Sequence, residues 1–207
     1  YTPPSDDMVR PGTLWWSMPE GSQALHTWHE LTHIFHQGAP GHHVQSATAL
    51  TERSNLNLWR RSVYVNAAHT EGWALYAEHL MDSYGFFEDP AKRLGHLDSR
   101  RLQLARVIVD IGVHLHKKTP DKTGVWDAQY AKAFLRDNTA MAETRLSFEL
   151  DRYMGWPGQA AACAVGYRAW LELRDEALAQ GATLREFHDR ALRLGSMPMD
   201  LLAQELL

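Results

Sequence analysis

The sequence is short of several things, and each shortage closes a door. It holds one cysteine, Cys163, in 207 residues, so no intrachain disulfide can form. A lone thiol fits a reducing compartment, and the cytoplasm is the expected location. Long apolar runs are missing too: Val107-Ile108-Val109 is soon interrupted by Asp110 and His114, far short of the roughly 20 apolar residues a membrane span needs. Charge of one sign is not in excess, since the net charge is -4 with 22% charged residues. Phosphate binding demands a basic surplus, so neither nucleic acid nor membrane is an expected partner. The chain opens at Tyr1 with no signal-peptide pattern, and a preceding segment is compatible with that opening.

What is present is a hydrophobic content of 44%, enough to bury a full core. Four of the nine prolines fall in residues 1 to 21, which reads as an extended arm laid over a single helical domain of residues 22 to 207. Ser22 reads as an N-cap for a helix running to Gln37, and Gly38-Ala39-Pro40-Gly41 must break that helix before a second begins. Apolar spacing of three and four predicts further helices over about 55 to 83, 90 to 117, 125 to 137, 140 to 154, 160 to 180 and 183 to 194. Thr183 and Glu186 fit a capping box at the start of the last. Strand alternation is absent, so the expected class is all-α.

Twelve histidines are present, and six of them, His26, His29, His33, His36, His42 and His43, fall within 18 positions. At about 100° per residue, His26, His29, His33 and His36 share one helix face. Two imidazoles one turn apart can both reach one zinc. His29-Glu30-Leu31-Thr32-His33 is an H-E-x-x-H pattern, in which the glutamate serves as general base. The segment from His36 to His43 competes for the same role. A site of this type needs a third ligand from another helix, and Glu71 is the best candidate. Gly72 beside it would let a neighbouring backbone come close. The competing reading is that Glu71 and Glu78, seven apart, form a solvated stripe. Asp110 and His114, one turn apart in an apolar stretch, could orient a ligand from behind or form a satisfied core pair. Trp73, Tyr76, Tyr153, Trp156 and Tyr167 are candidates for the walls of an aromatic cleft.

The chain resembles the C-terminal half of a bacterial family catalogued as domain of unknown function 885. The resemblance runs through Tyr1 to Ser5, Arg10-Pro11-Gly12, His36 to Gln45, Glu71 to Glu78, Arg106 to Leu115, Phe148 to Ala160 and Leu194 to Met197. That family is similar to helical zinc peptidases of the thimet-oligopeptidase and carboxypeptidase Taq type, so the resemblance implies a zincin-like helical domain. Its H-E-G-x-P-G-H-H-x-Q motif implies that His36, His42 and Glu71 hold zinc or another divalent transition metal, with His43 a close alternative to His42.

This sequence departs from the family pattern at two places. Gln37 stands where the family has the glutamate that activates water, and an amide cannot take a proton at neutral pH. Cys163, Ala164 and Tyr167 occupy the stretch where the pattern carries a tyrosine, a lysine and a glutamate. The implied function is therefore a zinc-dependent enzyme of peptidase descent with altered or weakened hydrolysis, or a metal-binding pseudo-peptidase or scaffold. Gln37, His43, His69, Asp110 and His114 are the candidate catalytic groups, and Glu30, His33, His43 and His69 are candidate substitute bases. A small peptide or small molecule is the expected substrate. The family's larger N-terminal region implies that a second chain or further segment completes the cleft.

Overall fold

A computed structural model describes residues 1–18 and 24–207. Ser22 lies outside the described residues. Among those described there is no strand, and the chain is a set of helices: α1 Thr27–Gln37, α2 His42–Thr51, α3 Leu58–Ser62, α4 Ala67–Ser83, α5 Pro90–His114, α6 Ala128–Asn138, α7 Glu143–Gly155, α8 Gln159–Ala179, α9 Leu184–Arg193 and α10 Met199–Leu206. None of these helices is long and apolar enough to cross a membrane.

The helices α4 and α8 form the central pair, and their contact depends on two glycines. A Cβ on Gly72 would sit 2.4 Å from the Gly166 carbonyl carbon, and a Cβ on Gly166 would sit 1.8 Å from the Ala68 oxygen. Only residues without a Cβ let the two backbones approach this closely. Apolar residues then fill both sides of the pair. Trp73, Tyr76, Trp170, Leu173, Phe187, Leu202 and Leu206 pack one core from α4, α8, α9 and α10. Val109, Trp126, Leu135, Leu146, Leu150 and Tyr153 pack another from α5, α6 and α7.

Local rules account for most of the boundaries. Asp89 caps α5 by accepting from the backbone N–H groups of Ala91 and Lys92, with Pro90 opening the helix. Thr183 and Glu186 close the capping box of α9. The helix expected over 55 to 83 is two helices, because the Asn66 side chain accepts from the His69 N–H and starts α4 afresh. The last helix, α10, has no counterpart among the expected elements. Thr27 begins α1 later than the histidine spacing suggests: His26 is its extended N-cap residue and is exposed. The shared histidine face therefore starts at His29.

Residues 1 to 18 make contacts with α1, α2 and α3. A Thr2–Thr13 bridge closes them into a loop. The Tyr1 hydroxyl lies 2.8 Å from His43 Nδ1, and Arg61 donates to Asp6 at 2.9 Å.

Candidate metal centre

The breaker segment decides the site. After α1 ends at Gln37, Gly38 to Gly41 turn the chain so that α2 starts at His42, and the His36 and His42 rings meet edge-on at 4.9 Å. The turn is held from outside: the Trp73 indole N–H donates to the Pro40 carbonyl at 2.9 Å. Trp73 lies two residues beyond Glu71, so the same helix that offers the carboxylate fixes the turn that offers the imidazole. His36, His42 and Glu71 each present a ligand atom within 4.8 Å of the others, the one such group of three among the described residues.

Each member is prepared for a cation in a different way. The His36 Nδ1–H donates to Glu78 Oε1 at 2.6 Å, which leaves Nε2 pointing to Glu71 Oε2 at 3.6 Å. A tetrahedral zinc with ligands at roughly 2.0–2.1 Å wants its donor atoms only a little closer than that. Burial opposes a charge on His36, but the Glu71 and Glu78 carboxylates outweigh it and raise its pKa to about 9. Burial likewise opposes ionisation of Glu71, and His36 overcomes it, with help from His42 and Arg106, to about 2. Without a metal the site thus holds one positive charge, the His36 proton, between two carboxylates. A divalent cation can replace that proton.

His42 supplies the neutral ligand. Burial, then the neighbouring His36 charge, lowers its pKa to about 4, and its Nδ1 is buried without a hydrogen-bond partner. Buried polar atoms are seldom left unpaired, so an orphaned imidazole nitrogen in a group with the half-buried Glu71 carboxylate fits a metal ligand. Two histidines and a glutamate form the donor set of a zinc site that keeps a position open.

The other sequence candidates are placed as follows. His43 turns away from the group to Tyr1 and the Gly12 backbone. His69 is fully buried in the α4–α8 core, where it meets the Trp170 ring and the Gln45 amide donates to its Nδ1 at 3.1 Å. Burial, then Arg60, lowers it to about 4. Gln37 is half-buried at the end of α1. Glu30 of the H-E-x-x-H segment accepts from the Trp16 indole at 2.9 Å and lies 3.3 Å from His29 Nδ1, and His33 is close enough for the two charges to act on each other.

Asp110 and His114 lie 3.4 Å apart, Oδ1 to Nε2, the arrangement of a core pair. Asp110 accepts from the Gly158 and Ala161 N–H groups at 3.0 and 3.1 Å, and so caps the start of α8. His114 Nε2 lies 2.9 Å from the Tyr153 carbonyl. His114 ties α5 to α7 and Asp110 ties it to α8, whose N-terminus favours a buried anion. Of the aromatic residues expected in a cleft wall, Trp73, Tyr76 and Tyr153 are core, while Trp156 is exposed. Glu78, expected as half of a solvated stripe, is 1% exposed and holds His36. Its sequence signals are its seven-residue spacing from Glu71 and its place at the end of the Glu71 to Glu78 stretch that resembles the family.

An all-helical protein with a cluster of two buried histidines and a half-buried glutamate is the class that fold and site define. The chain belongs to the family described as bacterial protein of unknown function DUF885, whose model matches residues 1–206. No curated protein matches it. Among solved structures it is similar to a "putative lipoprotein" of Colwellia psychrerythraea, at 32% identity and a TM-score of 0.84 over 98% of this chain and 34% of that one. It shares its fold with a "putative lipoprotein of unknown function" of Shewanella oneidensis, at 23% identity and a TM-score of 0.68 over 86% of this chain and 31% of that one. The chain therefore spans about a third of either relative.

Proposed function

We propose that this protein is a zinc-dependent hydrolase of peptidase type, acting on small peptide-like amides, with its metal held by His36, His42 and Glu71 and its hydrolytic power weakened at Gln37. The observation that carries this reading is the Glu78–His36 hydrogen bond of 2.6 Å behind the three converging ligand atoms. Metal-binding histidines characteristically give their second nitrogen to a carboxylate, which fixes the ring and strengthens the ligand.

When bound, the metal supplies Lewis-acid polarisation of the scissile carbonyl. The chain's own residues do the rest. Glu78 orients His36, and burial keeps His42 neutral and ready to ligate. The Gln37 amide can hold a water by hydrogen bonding but cannot remove its proton. Glu30 and His43 are engaged with Trp16 and Tyr1, and His69 is enclosed in the core. His33, one turn before His36 and kept neutral by burial despite Glu30, is the imidazole left to accept a proton. The zincin-like relationship belongs to this proposal. So does an envelope location: Cys163 is fully buried and would stay a thiol in either compartment, and the names of the two neighbours favour the envelope over the cytoplasm.

A second reading, metal binding without catalysis, is favoured by the amide at residue 37. Zinc titration of the parent, His36→Ala and Glu71→Gln proteins, followed by dipeptide hydrolysis with and without chelator, separates the readings. One zinc per parent chain, lost in both variants, with chelator-sensitive turnover that rises in Gln37→Glu, is expected. Bound zinc with no turnover in parent or Gln37→Glu leaves the second reading, and no bound zinc sinks both.

A further inference from the structure

The H-E-x-x-H segment of α1 repeats, two helical turns earlier, the arrangement found around His36. His36 has its Nδ1 held by Glu78 and its Nε2 3.6 Å from Glu71, with the His42 ring edge-on at 4.9 Å. His29 has its Nδ1 3.3 Å from Glu30 Oε1 and its Nε2 3.8 Å from Asp98 Oδ2, with the His33 ring edge-on at 6.1 Å. Each group offers two imidazoles and a carboxylate, and each has a second carboxylate behind its first imidazole.

The outer group is held from both sides. The Trp16 indole N–H donates to Glu30 Oε2 at 2.9 Å and the Ala140 N–H donates to Asp98 Oδ1 at 3.1 Å, so each carboxylate keeps its other oxygen for His29. Gly95 lets α5 come this close to α1: a Cβ there would meet the Trp28 carbonyl oxygen at 2.4 Å and His29 Cα at 3.0 Å, and Asp98 follows one turn later. Burial keeps His33 neutral against the pull of Glu30, and the neutral imidazole is the form that ligates.

We infer that His29, His33 and Asp98 form a second, weaker site for a divalent transition metal, zinc by its donor set, with Glu30 orienting His29. A tetrahedral zinc with ligands at roughly 2.0–2.1 Å needs donor atoms slightly nearer than the 3.8 Å between His29 and Asp98. His33, one turn along the same face, must also swing in, because these three donors do not already converge as those of the inner group do. That closing motion is why the outer site is the weaker one. It is also the more open, since the His29 and Asp98 side chains are 31% and 22% exposed, so ions reach it directly from solvent. His33 is the imidazole assigned above to accept a proton, and once ligated it has given up that lone pair. Filling the outer site should therefore suppress turnover. That consequence alone rests on the hydrolase reading; the site itself does not.

The test is a calorimetric zinc titration of the parent chain, with bound metal counted by equilibrium dialysis. Beyond the first ion, a second is expected to bind at least about tenfold more weakly, so that near-stoichiometric zinc fills the inner site alone. The second ion should be lost in His29→Gln and in Asp98→Asn, whose amide oxygen still accepts from Ala140, and kept in His36→Ala. Turnover, where present, should fall as that ion binds to the parent and should not fall in Asp98→Asn. The absence of any zinc ion that is lost in both His29→Gln and Asp98→Asn overturns the inference, and an ion that persists in either variant marks adventitious binding to surface histidines. The two sites fail separately, because the ion lost in His36→Ala reports on the inner centre and the ion lost in Asp98→Asn reports on the outer one.

Discussion

Glu78 Oε1 lies 2.6 Å from His36 Nδ1 across 42 residues of sequence, and both side chains are buried. The carboxylate fixes which imidazole nitrogen faces Glu71. Glu78→Gln keeps the shape but removes the charge that strengthens the ligand. Zinc affinity in that variant is expected to fall by about 10- to 100-fold, the usual effect of losing such a partner. A competition titration against a chelator measures it, and parent-like affinity would show that His36 is oriented without Glu78.

Zinc should stabilise the fold, since the three ligands come from α1, α2 and α4 and meet only in the native state. At a free concentration 100 times Kd the gain is about 2.7 kcal/mol. For a chain of this size that corresponds to roughly 5–10 °C in Tm. Thermal melts with zinc and with chelator check it, and coincident melts would count against native-state binding.

The pH dependence has two limbs. His36, raised to about 9 against the opposing effect of burial, favours the metal-free fold at pH values below its unfolded pKa, and that contribution is lost as pH rises through about 9. His42, His69 and His188 are lowered to about 4, chiefly by burial, so their contribution is present above about 6.5 and lost as pH falls towards 4. Metal-free stability should therefore decline on both sides of neutrality. Zinc must displace the His36 proton, so its affinity should rise with pH up to about 9 with release of about one proton per metal. Titrations in buffers of differing ionisation enthalpy would read that proton, and a pH-independent affinity would contradict the assignment.

Gly166→Ala should cost well over the roughly 1–3 kcal/mol typical of overpacking, because its Cβ would meet backbone, the Ala68 oxygen at 1.8 Å, rather than a side chain that can move. Ala68 and Glu71 share α4, so zinc affinity should fall with stability. Chemical denaturation and zinc titration of the same sample test both.

Asp110→Ala removes the acceptor for two N–H groups at the start of α8 and should cost about 1–3 kcal/mol, as loss of a buried cap does. Zinc stoichiometry should stay at the parent value. Loss of metal in a folded Asp110→Ala protein would return this residue to the site.

Much of the helix pattern was readable along the chain because its causes are local. Pro90 after Asp89 opens α5, Thr183 with Glu186 opens α9, and the Gly-Ala-Pro-Gly breaker separates His36 from His42. Asn66 hid the division of the 55 to 83 stretch, since an asparagine caps a helix only where the backbone already turns. The helix α10 has little local signature, because its Leu202 and Leu206 acquire a reason to be helical only against Trp170 and Phe187.

The sequence alone determined that helices would form, that histidines would crowd around a forced turn, and that residue 37 cannot serve as a base. Spacing and side-chain chemistry settle such matters within a few residues. Tertiary structure decided that His42 rather than His43 joins His36, and that Glu78 is a buried partner rather than a wet surface charge. Those outcomes depend on which helix faces press together across the Gly72–Gly166 contact, and burial at a distance leaves no periodic mark on the chain.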